Sequence, residues 1–299
     1  MTDPEELLAE LRPVAFAIAY RMLGSVSDAE DLVQEALLRT LRALKAGEHL
    51  ASPRAFIATV TTRLAINELS SARARREAYV GTWLPEPIVA DPHDDPEQMA
   101  ELSASLSMAF LVVLERLSPM ERAVFLLREA FDYSYEEIAR IVDRGEANCR
   151  QIFARARRHV SAQRARYDAS THDSEALLHS FLAAARDGDV DQLVHLLAAN
   201  AVAFADGGGR ARAASQPIHG RQRVIGHILA IFDRARQLGI SVEPARVNGE
   251  AGLVARDPLG RVASVISLEI ADGEIQTLRG VTNPDKLRHL GAAPGVERR

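Results

Sequence analysis

Apolar residues recur at steps of three and four through the first part of the chain, which is the pattern of helices packed on one side. Three helices are expected over residues 1–78. The first ends at Gly24, the second has Ser27 as its N-cap, and the third opens at Ser52. The pattern therefore predicts an all-α domain over residues 1–78.

A second helical segment is expected over residues 101–167. Ser118 with Glu121, and Ser134 with Glu137, have the serine and glutamate spacing of a capping box, so each pair predicts a helix start. A short turn and a further amphipathic helix follow. The order of elements predicts a helix-turn-helix at the end of this segment.

The periodicity changes near Asp173. Two amphipathic helices precede a strand, and a later helix is followed by four alternating or apolar runs with Gly, Pro and Asp at the turns between them. Residues 173–290 are therefore predicted to form an α+β domain, in which a curved antiparallel sheet and its helices make a cone. Residues 291–299 are expected to form a tail.

Residues 79–100 differ from both neighbours because they contain four prolines and no basic group except a histidine. An acidic, semi-rigid, extended linker is expected. Trp83, the single tryptophan of the chain, lies in it. We expect such a large apolar side chain to pack against another part of the protein.

The composition limits the class of protein. A chain of 299 residues with 47% hydrophobic content can bury several cores, and one cysteine excludes an internal disulfide framework or a cysteine-clustered zinc site. The start of the chain is acidic, unlike a secretory signal, and no apolar run reaches membrane-spanning length. A cytoplasmic protein with no cofactor, no metal and no membrane partner is expected.

The net charge of −5 conceals one basic segment. Residues 111–167 carry 11 basic and 8 acidic groups, whereas no other large segment has a basic excess. Because few phosphates would be neutralised, DNA binding by this chain alone is expected to be weak. A larger protein partner would have to hold it on DNA.

The final helix of the helix-turn-helix is amphipathic in a way that suits base recognition. Cys149 lies on its apolar side, where a core role is expected, and amide and guanidinium groups lie on the other. Such groups can pair with adenine and guanine edges in the major groove. The alternative is a solvated basic face on an ordinary helical hairpin. The predicted DNA-contacting residues are Glu146, Asn148, Arg150, Gln151, Arg155 and Arg158.

Two further surfaces are predicted in residues 1–78. The second helix begins with acids interleaved with apolar residues, which suits docking to a basic protein, although simple capping is the alternative. Its predicted contact residues are Asp28, Glu30, Asp31, Leu32, Gln34 and Glu35. The third helix combines polar and cationic groups that could line a DNA groove or only offset the helix dipole. These are Phe56, Thr59, Arg63, Asn67, Arg73, Arg75 and Arg76.

Together these segments resemble a bacterial sigma factor of the extracytoplasmic-function (ECF) group in the sigma-70 family. DAEDLVQEA looks like the helix that grips the β′ clamp helices of RNA polymerase core, and the third helix looks like the region that melts and reads the minus-10 promoter element. The segment from LSPMERAV to RARRHV is similar to the domain that reads the minus-35 element. The resemblance implies RNA polymerase core and promoter DNA as partners.

The remainder looks like a SnoaL-like domain of the NTF2-like fold, fused to the sigma factor. Three short signatures carry the resemblance: WLPEP (Trp83, Leu84, Pro85, Glu86 and Pro87), DGGG (Asp206, Gly207, Gly208 and Gly209) and NPDKL (Asn283, Pro284, Asp285, Lys286 and Leu287). The resemblance implies that this domain contacts the linker, controls activity in cis and replaces a separate anti-sigma factor.

Other functions stay open. An enzyme in the cone could use acid and base groups from Asp206, His219, His227, Asp257 and Glu269, although the sequence pairs none of them and contains no nucleophile motif. A small ligand bound in the cone as a signal is a second alternative. A one-component helix-turn-helix regulator is the third.

Overall fold

The computed structural model describes residues 4–77, 79–90, 106–164 and 171–292, with side chains described for all of these except 72–77, 161–164 and 171–173. The chain divides into two compact units. The first combines Met1–Ala78 with Leu111–Gln163, and the second combines Tyr79–Phe110 with Arg164–Arg299. The expected linker over residues 79–100 therefore belongs to the C-terminal unit where it is described.

The helices before the C-terminal unit follow the expected order. They are α1 Pro4–Leu23, α2 Val26–Lys45, α3 Pro53–Glu77, α4 Met108–Leu114, α5 Pro119–Glu129, α6 Tyr135–Val142 and α7 Glu146–Arg164. Within the first unit, α1, α2 and α3 pack against one another, and α3 also packs against α5 and α6. The predicted all-helical class of this part is confirmed.

The capping boxes start their helices as predicted, but one cap was misplaced. Ser118 and Ser134 each accept a hydrogen bond from the backbone of a glutamate three residues on, whose carboxylate accepts one in return. The prediction that Ser27 caps α2 is wrong. Ser25 has extended backbone and its side chain accepts from Asp28 N at 3.1 Å, so the helix begins one residue before Ser27.

The turn between α6 and α7 completes the helix-turn-helix. Asp143 ends α6 in the left-handed region with φ +54°, where its N–H donates to Ala139 O. The predicted apolar side of α7 is buried, including Cys149 and Ile152. Cys149 is fully buried, so it is part of the core as expected, and burial raises the pKa of its thiol.

The C-terminal unit contains helices and a six-stranded sheet. The elements are α8 Thr171–Asp187, α9 Val190–Leu196, β1 Leu197–Asp206, β2 Ile218–His219, α10 Arg221–Gln237, β3 Ser241–Val247, β4 Glu250–Arg256, β5 Val262–Ala271, β6 Glu274–Val281 and a final 3₁₀ helix Pro284–Leu290. The strand order is β2-β1-β6-β5-β4-β3. The predicted α+β class is confirmed.

The sheet is mixed, so the expectation of a purely antiparallel sheet is wrong. Strands β3 to β6 form an antiparallel meander, but β1 pairs in parallel with β6. Pairing of strands so distant in sequence leaves no local signal. The helices cover one face of the sheet, where Phe181, Ile228 and Leu278 belong to one buried cluster. No helix within the described ranges has the length and apolar character needed to cross a membrane.

Candidate regulatory site and nucleic-acid interface

Asp206, the last residue of β1, is fully buried and receives hydrogen bonds from the linker. Its Oδ1 accepts from the Tyr79 hydroxyl at 2.5 Å, and its Oδ2 accepts from Leu84 N at 2.8 Å. Burial, followed by the interaction with Asp206, raises the pKa of Tyr79, so the phenol stays protonated and donates. The strand end therefore presents a carboxylate directly to the linker.

Lys286, on the final 3₁₀ helix, neutralises this carboxylate. Its Nζ lies 2.7 Å from Asp206 Oδ2 and also donates to Leu84 O. The same Nζ lies 4.1 Å from the centre of a Trp83 ring and 4.8 Å from that of the Tyr79 ring. Two cation–π contacts and one ion pair thus surround a single buried ammonium group.

Asn283 joins the third signature to the other two. Its Nδ2 donates to the Tyr79 hydroxyl at 2.8 Å, and its Oδ1 accepts from Asp285 N to cap the 3₁₀ helix. Gly208 makes this approach possible: a Cβ there would lie 2.1 Å from Asn283 Nδ2 and 2.8 Å from the Tyr79 hydroxyl. Its φ of +56° also favours glycine. We call Tyr79, Leu84, Asp206, Asn283 and Lys286 the linker latch.

The structure therefore brings the three signatures together. Leu84, Pro85, Glu86 and Pro87 are buried, and Trp83 is partly exposed. Gly209 contacts Val80, since a Cβ on this glycine would lie 3.3 Å from Val80 Cβ. Gly207 begins the tight turn after β1, and a Cβ there would lie 2.4 Å from Ala211 O. The carboxylate of Asp285 pairs with exposed Arg210 and Arg288. Pro284 and buried Leu287 belong to the 3₁₀ helix.

A second attachment of the linker was not predicted. Asn248, in the turn between β3 and β4, accepts from Ile88 N through its Oδ1 at 3.0 Å and donates its own N–H to Ile88 O at 2.7 Å. Its Nδ2 donates to Leu106 O at 3.0 Å. Val89 forms an antiparallel bridge with Val247, so the linker extends the sheet beside β3.

Glu250 completes this attachment by accepting from Met108 N at 3.2 Å. Burial raises the pKa of Glu250 to about 7; the Arg279 charge lowers it and the Glu269 charge raises it by smaller amounts. We call Ile88, Leu106, Met108, Asn248 and Glu250 the hairpin anchor. The Asn-Gly dipeptide at residues 248 and 249 predicts a turn, but no sequence signal marked the Asn248 side chain as a linker contact.

The five candidate acid and base groups have separate local environments. Asp206 belongs to the latch, Glu269 pairs with buried Arg279 at 2.5 Å, and Asp257 pairs with Arg261 at 2.7 Å. His219 is exposed on β2, and His227 lines a cavity under α10. Within the described ranges, no cluster of three His, Cys, Asp or Glu residues suits a metal ion.

The predicted DNA-contacting face of α7 is exposed, and two of its arginines pair with acids of the protein. Asn148, Gln151 and Arg158 are exposed. Arg150 pairs with Glu146 and lies 4.5 Å from the centre of the Tyr135 ring.

Arg155 donates to Glu121 Oε1 at 2.5 Å. Partial burial raises the pKa of Glu121, but hydrogen bonds from Ser118 and Arg155 outweigh it and lower the pKa to about 2. The acid therefore stays ionised and paired with this arginine near neutral pH.

On α3, the predicted DNA face contacts the helix-turn-helix. Phe56, Thr59, Arg63 and Asn67 are spaced to share one side of the helix. Arg63 donates to Ile141 O at 2.8 Å and to Arg140 O at 3.0 Å, which are carbonyls at the C-terminal end of α6. The side chains of Arg73, Arg75 and Arg76 lie outside the described residues.

The predicted acidic and apolar surface of α2 is less apolar than expected. Leu32 faces the core with 7% exposure, because the residues at its helical spacing pack on α1 and α3. Leu38 is the exposed apolar residue of this helix, at 47%. Asp31 and Gln34 are exposed, Asp28 is partly exposed, Glu30 pairs with Arg12, and Glu35 pairs with Arg39 at 2.6 Å.

Comparison with known proteins shows which families the chain is similar to. Residues 7–75 match the family model for sigma-70 region 2, and residues 107–160 match that for sigma-70 region 4. The ECF RNA polymerase sigma factor SigJ of Mycobacterium tuberculosis is 35% identical to this chain, over 97% of this chain and 94% of its own length. Its alignment therefore includes the C-terminal unit.

Two further comparisons differ in extent. The crystal structure of the M. tuberculosis extracytoplasmic function sigma factor SigJ matches with a TM-score of 0.77 at 32% identity, covering 97% of this chain and 99% of that one. The probable ECF RNA polymerase sigma factor SigI of the same species is 35% identical, but over 60% of this chain and 62% of its own.

Proposed function

Because this chain belongs to the extracytoplasmic-function sigma factors of the sigma-70 family, we propose that it directs RNA polymerase core to promoters under the control of its own C-terminal unit. It would act in the cytoplasm, where the polymerase works. The control acts in cis, through the linker, and requires no separate anti-sigma factor. The observation that carries this proposal is the linker latch, in which Asp206 and Lys286 bind Tyr79 and Leu84.

The position of the linker in the chain makes its attachment relevant to promoter binding. It follows α3, the proposed minus-10 reader, and precedes the helices that carry α7, the proposed minus-35 reader. Two DNA-reading elements engage one promoter only at a fixed separation. Attachment of the linker at both the latch and the hairpin anchor restricts the separations that the connection allows.

Contacts inside the first unit support the interpretation that its conformation in the structure is the one before promoter binding. Arg63 donates to the end of α6, and Arg155 pairs with Glu121. Each arginine would exchange its partner for DNA when the promoter is bound. The acids of α2, such as Asp31, remain the proposed contact for the β′ clamp helices.

Transcription by reconstituted polymerase tests the proposal. Run-off transcription would use purified polymerase core and the full chain, on promoters selected from a random library. Lys286→Met removes the ammonium of the latch, and Trp83→Ala removes a ring that contacts this ammonium, so both should weaken the latch. Arg288→Met changes an exposed cation of the same 3₁₀ helix as a matched control. With core below saturation, we expect the two latch variants to initiate several-fold more often than the wild type, because release of the linker is no longer limiting.

Two results would contradict the proposal in different ways. Unchanged initiation by both latch variants would remove control through the linker while leaving the sigma-factor role intact. Specific DNA binding without core, combined with no initiation on any selected promoter, would favour a one-component helix-turn-helix regulator.

The contacts of the candidate acids support regulation over catalysis in the C-terminal unit. The Asp206 carboxylate accepts three hydrogen bonds within the latch, and Glu269 is paired with Arg279. A general base needs a free lone pair within reach of a substrate proton. Ligand binding by the cone is favoured instead by a separate cavity under α10.

A further inference from the structure

The C-terminal unit contains a cavity of about 230 Å³ between α10 and the helix-covered face of the sheet. Its inner wall is formed by apolar side chains such as Phe181, Ile228 and Leu253. His227 also lines it, and burial lowers the pKa of this imidazole, so the neutral form prevails near pH 7. The interior is therefore apolar and uncharged.

The mouth of the cavity combines exposed apolar groups with cations. Ile231 on α10 and Leu238, which follows the last residue of α10, line the cavity and are 41% and 50% exposed, so two large aliphatic side chains contact solvent here. Arg234 on the same helix and Arg212 on the loop after β1 also line the cavity and are exposed. Neither arginine pairs with an acid among the described residues. The opening therefore suits a molecule with an apolar body and an anionic head.

The volume limits the size of that molecule. An apolar cavity of about 150 Å³ holds one benzene ring, so a cavity of about 230 Å³ has room for one ring and a short chain. Because the arginines lie at the mouth, the head group would remain near the surface. A monocarboxylic acid with about 10 to 13 non-hydrogen atoms satisfies both conditions.

One segment belongs to both the cavity and the latch. Thr282 lines the cavity, and its N–H and hydroxyl both donate to Asp206 O, at 2.8 and 3.2 Å. Ala213 also lines the cavity, and a Cβ on Gly207 would lie 2.9 Å from its Cβ. A ligand that moves this wall would thus act on the residues beside the Asp206 carboxylate.

We propose that this cavity is an effector site for a small apolar carboxylic acid, whose binding changes the state of the linker latch. The regulatory part rests on the proposed function, whereas the binding part is independent of it. The effector enters at Arg212 and Arg234, fills the space beneath α10 and contacts the wall that ends at Thr282. No covalent step is involved.

Calorimetric titration of the full-length protein with 4-phenylbutyrate tests the binding part, and 4-phenyl-1-butanol serves as the uncharged probe. We expect the acid to bind about tenfold more tightly than the alcohol, because each guanidinium can form charge-assisted hydrogen bonds with the carboxylate. The double variant Arg212→Gln with Arg234→Gln should remove this preference. Arg236→Gln, which changes an exposed arginine of α10 that pairs with Asp233, should not.

Cavity-filling variants show where the probes bind. Ala255→Leu should abolish binding of both probes. Gly280→Ala is the milder variant if that change prevents folding: an added Cβ would have its nearest neighbours at 3.8 Å, so it fits but narrows the cavity. No binding by the wild type, or binding that survives filling of the cavity, would overturn the proposal.

The fluorescence of Trp83, the single tryptophan, reports the latch in the same titration. Saturation with 4-phenylbutyrate should shift its emission, and Gly280→Ala should reduce the shift in proportion to the lost binding. Binding with unchanged emission, and with unchanged amide exchange at Leu84, would overturn the effector role. Unchanged initiation by the latch variants in transcription would contradict the proposed function but would not affect the binding result. The two proposals can therefore be contradicted separately.

Discussion

The linker latch and the hairpin anchor attach neighbouring parts of the linker by different chemistry. The latch is ionic, because a fully buried carboxylate and a largely buried ammonium neutralise each other among aromatic rings. The anchor relies on the neutral amide of Asn248, on backbone groups and on one carboxylate, Glu250, whose pKa is raised to about 7. Removal of one partner should therefore lower the free energy of unfolding by different amounts at the latch and at the anchor.

The difference lies in what remains after a partner is removed. An unpaired charge in a buried site costs about 3–5 kcal/mol, whereas an unsatisfied neutral group costs about 1–3 kcal/mol. Removing one partner of a buried ion pair is therefore costly, because the other charge stays buried. Separating the two groups costs less when solvent or another partner reaches both of them. A partner that replaces both contacts at once could open the latch, which suits a contact that is meant to be reversible.

Lys286→Met should have the largest effect, because it leaves Asp206 buried without its counter-ion. We expect the free energy of unfolding of the C-terminal unit to fall by about 3–5 kcal/mol at pH 7. Urea titration followed by Trp83 fluorescence measures it. Adding Asp206→Asn should restore part of the loss, and Arg288→Met should lie within about 0.5 kcal/mol of the wild type. An equal loss in the single and double variants would show that the charge of Asp206 is not the cause.

The latch and the anchor also differ in how far the sequence could predict them. The latch contains Leu84, Asp206, Asn283 and Lys286 from the three recognised signatures, so contact among these segments was predicted from the resemblance. Its geometry explains one signature physically, since Gly208 must lack a Cβ for Asn283 and Tyr79 to meet. Of the three partners of the Asp206 carboxylate, only Tyr79 was not predicted, because it lies outside WLPEP.

No sequence pattern predicted the contacts of the hairpin anchor. Asn248 and Gly249 have φ values of +52° and +77°, which the turn itself requires, so their residue types are already explained by local structure. The contact of Asn248 with Ile88 joins residues far apart in sequence. The parallel pairing of β1 with β6 was missed for the same reason, whereas the capping boxes at Ser118 and Ser134 are local and were predicted.

Glu250 should make the anchor sensitive to pH. A pKa raised from about 4.5 to about 7 means that the folded state binds the proton more tightly than the unfolded state. The stability that this group contributes is fully present below pH 4.5 and is lost as the pH rises through 7. Arg279, Glu269, Arg246, Glu175 and His179 lie around the same site and also affect its charge.

Comparison of the wild type with Glu250→Gln isolates this effect. Between pH 5 and pH 8 we expect the wild type to lose about 2–3 kcal/mol more of its free energy of unfolding than the variant does. Glutamine can still accept from Met108 N but does not titrate. Urea titrations at the two pH values measure the difference, with Glu243→Gln as a control at an exposed acid of β3. Parallel pH profiles of the wild type and Glu250→Gln would exclude this carboxyl as the titrating group.

Asn248→Gly should have the smallest effect of the three, and it tests the anchor without straining the backbone. Glycine keeps the positive φ of the turn but removes the acceptor for Ile88 N and the donor for Leu106 O. Because water can reach part of the freed backbone, we expect a loss of about 1–2 kcal/mol, together with faster amide exchange at Ile88. Exchange at Leu84, within the latch, should change much less. Equal acceleration at both amides would mean that the latch and the anchor open together and are not independent attachments.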